Sequence, residues 1–435
     1  MQANFYFERM EICEVNRARK IDLRTLGVVV MVRKKRERNM LVRQILLAVF
    51  AIAGSQLTAH AELTSAALSN YNTAVNNNDD TEIVRTARIL VDEAISDPQN
   101  PNATIAAYEA SLKLCERGHC DDASDGADFV VGQPDTASHP VMRDRQLLKA
   151  YVDFKVKSNG SSRSSLKDAL EPVKTANPSV LSLRAFIQLA NEYYSRADWG
   201  DAFRTSSNAV EHLATVKSSV PDAYFIARET AATSYLLHQR GPDAQEDLIR
   251  LNAELEQLRS RYEAEGVDIP DWLERTYWRS EAWVGVAQAL FWSNDTRGSL
   301  SEYRAGKSNN RPLSEKQIDE IRAEYPLAES DEPSSEAEDG QLPFCEGELK
   351  QTKAIRYPSS AAFNGMVGSV ILRLKFDEKG NVTEPEVLAA VPIAGFEEEL
   401  IESVSEWRWQ KSDDEDKACR LNRENVIMPV TFSIR

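Results

Sequence analysis

The 435-residue chain lacks the signatures of catalysis. It has no glycine-rich phosphate loop, no Gly-x-Ser-x-Gly elbow and no His-Glu-x-x-His helix. Histidine is scarce, with five in all. His119, His139, His212 and His238 are scattered and fall in no catalytic motif. His119 lies beside Cys120, but no second pair of ligands stands at metal spacing. The acidic pairs Asp79-Asp80 and Asp413-Asp414 sit in polar turns and read as solvated charge. No enzyme activity, cofactor or metal is expected.

Positive charge is also short, with 52 Lys and Arg against 68 Asp and Glu. Residues 1–61 hold eleven of the basic and five of the acidic residues, leaving 41 against 63 beyond them. A body that acidic repels nucleic acid and anionic lipid, so it is a poor candidate to bind either. Beyond residue 61 no apolar run is long enough to span a bilayer. Proline is sparse and dispersed, so there is no stiff proline-rich spacer.

The N-terminal region carries an address. Arg33, Lys34, Lys35, Arg36 and Arg38 form a basic cluster, an apolar run follows from Ile45 to Ala53, and Ala59-His60-Ala61 closes it. That order is a secretory signal, with cleavage expected before Glu62 and a periplasmic product. Such a signal belongs near a terminus, so residues 1–30 read as an over-extended start, with Met31 or Met40 the true beginning. The competing reading keeps the apolar segment as an inner-membrane anchor facing the periplasm. Cysteine usage agrees with export. Cys13 falls in the discarded part, and the even set Cys115, Cys120, Cys345 and Cys419 reads as two disulfides. Pairing Cys115 with Cys120 and Cys345 with Cys419 is the simplest connectivity.

Residues 62–326 read as a helical repeat domain. The clearest unit is AFIQLANEYYSRADWGDAFRTSSNAVEHLA. One helix carries Leu189, Ala190, Tyr193 and Tyr194, a turn falls at Asp198-Trp199-Gly200, and a second helix carries Ala202, Phe203, Ser206, Ala209 and Val210. Small residues let two helices approach, and Tyr194 and Phe203 fill the gaps. The unit resembles a tetratricopeptide repeat, although Tyr235 follows Tyr194 by 41 residues, longer than the usual ~34. Residues 327–341, acidic and without large apolar side chains after Leu327, read as a linker.

The character then changes. In residues 342–435 a strict alternation appears: Val370, Leu372, Leu374 and Phe376 point one way, and Ile371, Arg373 and Lys375 the other. Tyr357-Pro358 with Ala361 or Ala362 marks a short lead helix, and Gly365 and Gly368 precede the strand Ser369–Phe376. Asp377 to Gly380 is a hairpin turn, and Asn381–Ala389 a second strand. Phe396–Trp407 is a helix with Phe396, Leu400, Val404 and Trp407 on one face. Trp409 follows, and Asn425–Ile434 is the last strand.

In this order these positions resemble the carboxy-terminal domain of the TonB family. Gln410 stands where the family has proline, and Glu399 and Leu400 replace small helix residues. The fold class expected is therefore mainly α, a tetratricopeptide-like solenoid, followed by a small α+β domain with a three-stranded antiparallel sheet. The family motif falls on Tyr357, Pro358, Gly365, Gly368, Gly380, Trp407 and Trp409. The resemblance implies that an extended segment of an outer-membrane receptor adds to the edge strand. Val426, Met428, Val430, Phe432 and Ile434 face the helix. Asn425, Ile427, Pro429, Thr431 and Ser433 form the partner-binding set, with Pro429 expected to leave one ladder bond unmade. Other envelope proteins are expected on the helical repeats, a second copy is a further candidate for the open edge, and an inner-membrane motor is a partner if the chain is anchored. The reading is a periplasmic binding and transport component. The alternative is a membrane-anchored energy transducer.

Overall fold

The computed structural model describes residues 66–137, 139–239, 241–294, 313–328, 342–351, 355–363, 366–392, 395–412 and 418–432. The expected signal segment, Gly365, Ser433 and Ile434 lie outside them. Contacts divide the chain into two compact units.

The described part of the first unit comprises residues from 66 to 196 and 205–224. Its described helices are α1 (Ala66–Asn77), α2 (Asp80–Ser96), α3 (Ala103–Glu116), α4 (Ser124–Gly132), α5 (Met142–Lys157), α6 (Gly160–Leu170), α7 (Val180–Ser195) and the C-terminal part of α8 (Trp199–Leu213). From α1 to α7 each helix packs on the next, and α2 with α4, α3 with α5 and α5 with α7 also touch, the pattern of a stacked helical array. Local chemistry starts the helices. Asp79 Oδ1 accepts from Glu82 N at 3.1 Å. Asn159 with Ser162, and Ser179 with Ser182, form reciprocal capping boxes. Alanines 87, 107, 110 and 127 are fully buried and let the axes close up. At Gly126 a β-carbon would strike Ser111 Oγ and lie 3.0 Å from Val91 Cγ1, so glycine permits the approach there. The turn before α8 falls earlier than the sequence suggests: Ala197 takes the left-handed conformation (φ 60°), and Trp199 and Gly200 already belong to the helix.

The described part of the second unit comprises residues 197–204 and the described residues from 225 to 432. It holds most of α9 (Pro221–Gln239), then α10 (Pro242–Ala264), α11 (Asp271–Asn294) and α12 (Glu315–Ala323). α10 pairs with α11, where Asn252 Nδ2 donates to Ser280 Oγ at 3.0 Å, and α12 lies on α10. Arg250 holds Glu324 just beyond α12, and Gln257 Nε2 donates to Pro326 O at 3.0 Å.

The same unit contains the C-terminal α+β module. Its elements are β1 (Gly347–Lys350), α13 (Ser359–Phe363), β2 (Gly368–Phe376), β3 (Glu386–Val391), α14 (Phe396–Val404), β4 (Arg408–Lys411) and β5 (Arg423–Phe432). The main sheet has the antiparallel order β3-β2-β5, and β1 pairs with β4 in a second, two-stranded sheet. α14 lies on one face of the main sheet. Phe396, Leu400 and Val404 pack with Val370, Leu372, Leu374, Val426, Met428, Val430 and Phe432, all buried. Each such large side chain stabilises by roughly 1.5–3 kcal/mol.

Boundaries in this module depart from the sequence reading, and β5 begins at Arg423, ahead of the expected Asn425. β3 begins at Glu386 rather than Asn381, because Pro385 precedes it; Asn381 and Val382 make only isolated bridges to Arg408 and Phe376. The helix stops at Val404, so Trp407 reaches the core from a turn, where it is 1% exposed.

Candidate functional site

β2 is the central strand, paired on both sides, so β5 has β2 on one side only. Among the described residues no strand pairs with its outer side. The register gives the rim its polarity. Ile371 stands opposite Pro429, with Val370 opposite Val430 and Leu372 opposite Met428. Pro429 has no N–H, so the hydrogen-bonded pairs must be its neighbours, Val370/Val430 and Leu372/Met428. The N–H and C=O groups of Ile427 and Thr431, and the C=O of Pro429, therefore point away from β2. This corrects the sequence expectation. The donor missing at Pro429 belongs to the open rim, not to the ladder with β2, which is where an edge strand tolerates proline.

The expected partner-binding residues are not equivalent. Pro429 is exposed, and Ile427 is half-buried. Thr431 is half-buried, with its Oγ1 3.2 Å from Ser369 Oγ. Asn425 has φ 60° and lies where the register slips, since Leu374 pairs with Val426 but Phe376 with Arg423. One extra residue on β5 makes a bulge, and Asn adopts the left-handed conformation more readily than most residues. Nearby, a cleft of about 410 Å³ opens between the Arg373–Lys375 stretch, Glu384–Glu386 and Glu424. Its charges are satisfied internally: Lys375 Nζ lies 2.9 Å from Glu424 Oε1 and Arg373 Nη1 2.9 Å from Glu386 Oε2.

The motif residues build the frame behind this edge. The Tyr357 hydroxyl donates to Met366 O, and its ring meets Phe396 and Phe432 edge-on, each at 5.8 Å. Pro358 is buried just before α13. A β-carbon at Gly368 would enter the Phe396 ring. Gly380 has φ 79° and closes the hairpin. There Asp377 Oδ1 accepts from Lys379 N and Asn381 N, each at 2.8 Å, and the Asn381 side chain holds the Asp377 carboxyl below its ordinary range. Trp409 Nε1 donates to Cys345 O at 3.1 Å. Cys345 is bonded to Cys419, as the sequence leads one to expect, with Cα atoms 4.9 Å apart. Cys345 N donates to Arg420 O at 2.9 Å, so the two ends of the module are tied together just ahead of β5. In the first unit Cys115 is bonded to Cys120.

The sequence reading missed what covers the other face. α11 lies across β3, β2 and β5. Beneath it Ser369 and Ile371 are fully buried and Ala389 is 6% exposed. Two signals pointed there: the unbroken run Val370-Ile371-Leu372, and a lone glycine, Gly285, inside a helical pattern. Among the described residues no cluster of His, Cys, Asp or Glu could hold a metal ion, and no helix is long and apolar enough to cross a membrane.

The module is thus a small antiparallel sheet, packed against helices, whose last strand is paired on one side only among the described residues, the kind of edge at which strand addition operates in general. Residues 353–434 match the family model described as Gram-negative bacterial TonB protein C-terminal, and that stretch is a TonB carboxy-terminal domain. Neither a curated protein nor a solved structure shows significant similarity to the chain.

Proposed function

We propose that this protein is a non-enzymatic periplasmic binding component of TonB-type envelope transport. In this reading the rim of β5 takes up an extended segment of an outer-membrane partner as an added strand, and the helical array offers a second interaction surface. The observation that carries the reading is the position of β5 at the edge of β3-β2-β5, within a stretch that matches the TonB carboxy-terminal model. Its register turns the backbone groups of Ile427 and Thr431 to the open side. Main-chain hydrogen bonds then supply affinity, and alternate side chains supply selectivity. The gap in donors at Pro429 favours a partner that needs no acceptor contact at that step.

The test is Ile427→Pro. It removes a rim donor and spares the ladder bonds of Val426 and Met428. Peptides tiling the periplasmic segments of outer-membrane receptors are titrated against wild type and variant. With the far-UV circular dichroism unchanged, affinity for the best-binding peptide should fall about tenfold, the equivalent of one hydrogen bond of ~1.4 kcal/mol. Unchanged affinity in a folded variant would rule out strand addition at this rim.

A further inference from the structure

The main sheet is buried on both faces, and the two covers differ in kind. α14 packs with large side chains, whereas at Gly285 α11 meets the hydroxyls of Ser369 and Thr431 with no side chain of its own between. At Gly285 a β-carbon would stand 2.9 Å from Ser369 Oγ, 2.9 Å from Thr431 Oγ1 and 3.5 Å from Ser369 Cβ. Glycine is a poor choice for the interior of a helix. Here it lets the α11 backbone close down on β2 and β5 at once, because the two hydroxyls beneath it lie 3.2 Å apart on those two strands.

A polar anchor lies toward the start of the helix. Glu274 accepts from Trp278 Nε1 at 2.7 Å and from Arg259 Nε on α10 at 3.0 Å. It also lies 3.8 Å from Arg373 Nη2 on β2, which in turn holds Glu386 on β3. The helix is thus pinned to the central strand at two points along its length, and the seam includes a residue of the edge strand itself.

We propose that α11 is the control element of the β5 edge. Seated, it makes the three strands a covered, ordered template. Displaced, it uncovers Ile371 and Ala389 and lets β5 lose the order that an incoming strand needs. A three-stranded sheet is close to the smallest that stands alone and depends on its packing. Backbone pairing with a flexible segment is stronger when the template is already ordered, because less entropy is lost on binding. The helical part of this unit is therefore a working part of the C-terminal module, not a carrier for it. The consequence for partner binding rests on the strand-addition reading above; the dependence of β5 on α11 does not.

The full chain tests this with one lock and one wedge. The Cβ–Cβ distance of 3.5 Å between positions 285 and 369 falls within the range of about 3.5–4.5 Å for a disulfide. Gly285→Cys with Ser369→Cys should cross-link on oxidation, and Gly285→Leu should lift the helix. Amide exchange is followed by mass spectrometry on fragments covering β2 and β5, with α1–α6 as the internal control. The binding probes are the receptor-derived peptides titrated against Ile427→Pro, which address the outer rim of β5.

The expected result is a cross-link that keeps β5 protected at least as well as in wild type. In Gly285→Leu, protection of β2 and β5 should drop about tenfold or more, with α1–α6 unchanged and probe affinity reduced in parallel. Absence of the cross-link, or unchanged exchange of β5 in the wedged variant, overturns the proposal. If exchange responds as expected but not even the wild type binds any probe, the control of β5 by α11 stands and the strand-addition reading fails.

Discussion

Replacing Glu229 by glutamine should make the second unit more stable, and increasingly so as the pH rises. Glu229 on α9 is 3% exposed. Burial pushes its carboxyl from 4.5 up to about 7, against the opposing pull of Arg279. Arg279 Nε lies 2.9 Å from Glu229 Oε1 but without hydrogen-bond geometry, and the arginine side chain is 56% exposed, so water weakens the attraction. Each tenfold gain in proton affinity is worth ~1.4 kcal/mol, so ionising Glu229 in the folded protein costs at most about 3 kcal/mol.

The folded state binds this proton more tightly than the unfolded chain does. The contribution to stability is therefore complete below about pH 4.5, declines as the pH rises towards 7, and is gone above it. Glu229→Gln is neutral throughout and escapes that decline. Urea denaturation at about pH 5, 6, 7 and 8 measures it. All seven tryptophans fall in the second unit, so intrinsic fluorescence reports that unit alone. At about pH 8 the variant should exceed wild type by up to about 3 kcal/mol, with the gap closing towards about pH 5. Equal stability at about pH 8, or a gap that does not change with pH, would refute the reasoning, the second outcome assigning the effect to packing.

Arg145, 0% exposed, donates through Nη1 to the carbonyls of Val130 at 3.0 Å and Gln133 at 2.8 Å, at the end of α4. Arg145→Ala should cost about 3 kcal/mol by stranding them, whereas Asp135→Asn should cost under ~1 kcal/mol, because Asp135 is 66% exposed; calorimetry of the two variants shows whether the carbonyls or the ion pair carry the stability. The Cys345–Cys419 bond closes a loop of sequence separation 74. The double Cys→Ser variant should therefore lose up to about 4 kcal/mol through the added entropy of the unfolded chain, measured by urea denaturation, and a loss below ~1 kcal/mol would show the ends held without it. Export predicts a mature N-terminus at or near Glu62, and Edman sequencing of the native protein reads it directly.

Local chemistry in the sequence was enough to determine much of this protein. The period of apolar residues placed the helices, and Asp377 and Gly380 made the hairpin. The alternation Val426, Met428, Val430, Phe432 placed those side chains in the core under α14. These signals are legible because each arises within one turn or one strand, from spacing or from the conformational habit of a single residue. Helix and strand ends were less legible. The stop at Val404 and the start at Glu386 depend on where packing partners run out, as well as on Pro385.

Tertiary structure alone decided what lies on the second face of the sheet. Ile371 was assigned to the outer side by alternation, and alternation says nothing about what covers that side. The contact of Gly285 with Ser369 and Thr431 joins residues far apart in the chain. It is made by a missing side chain and two small hydroxyls, and so leaves no periodic trace. The unbroken run Val370-Ile371-Leu372 says only that both faces are covered. That α11 is the cover follows from the packed fold, because burial specifies that an apolar surface be met and not which distant element meets it.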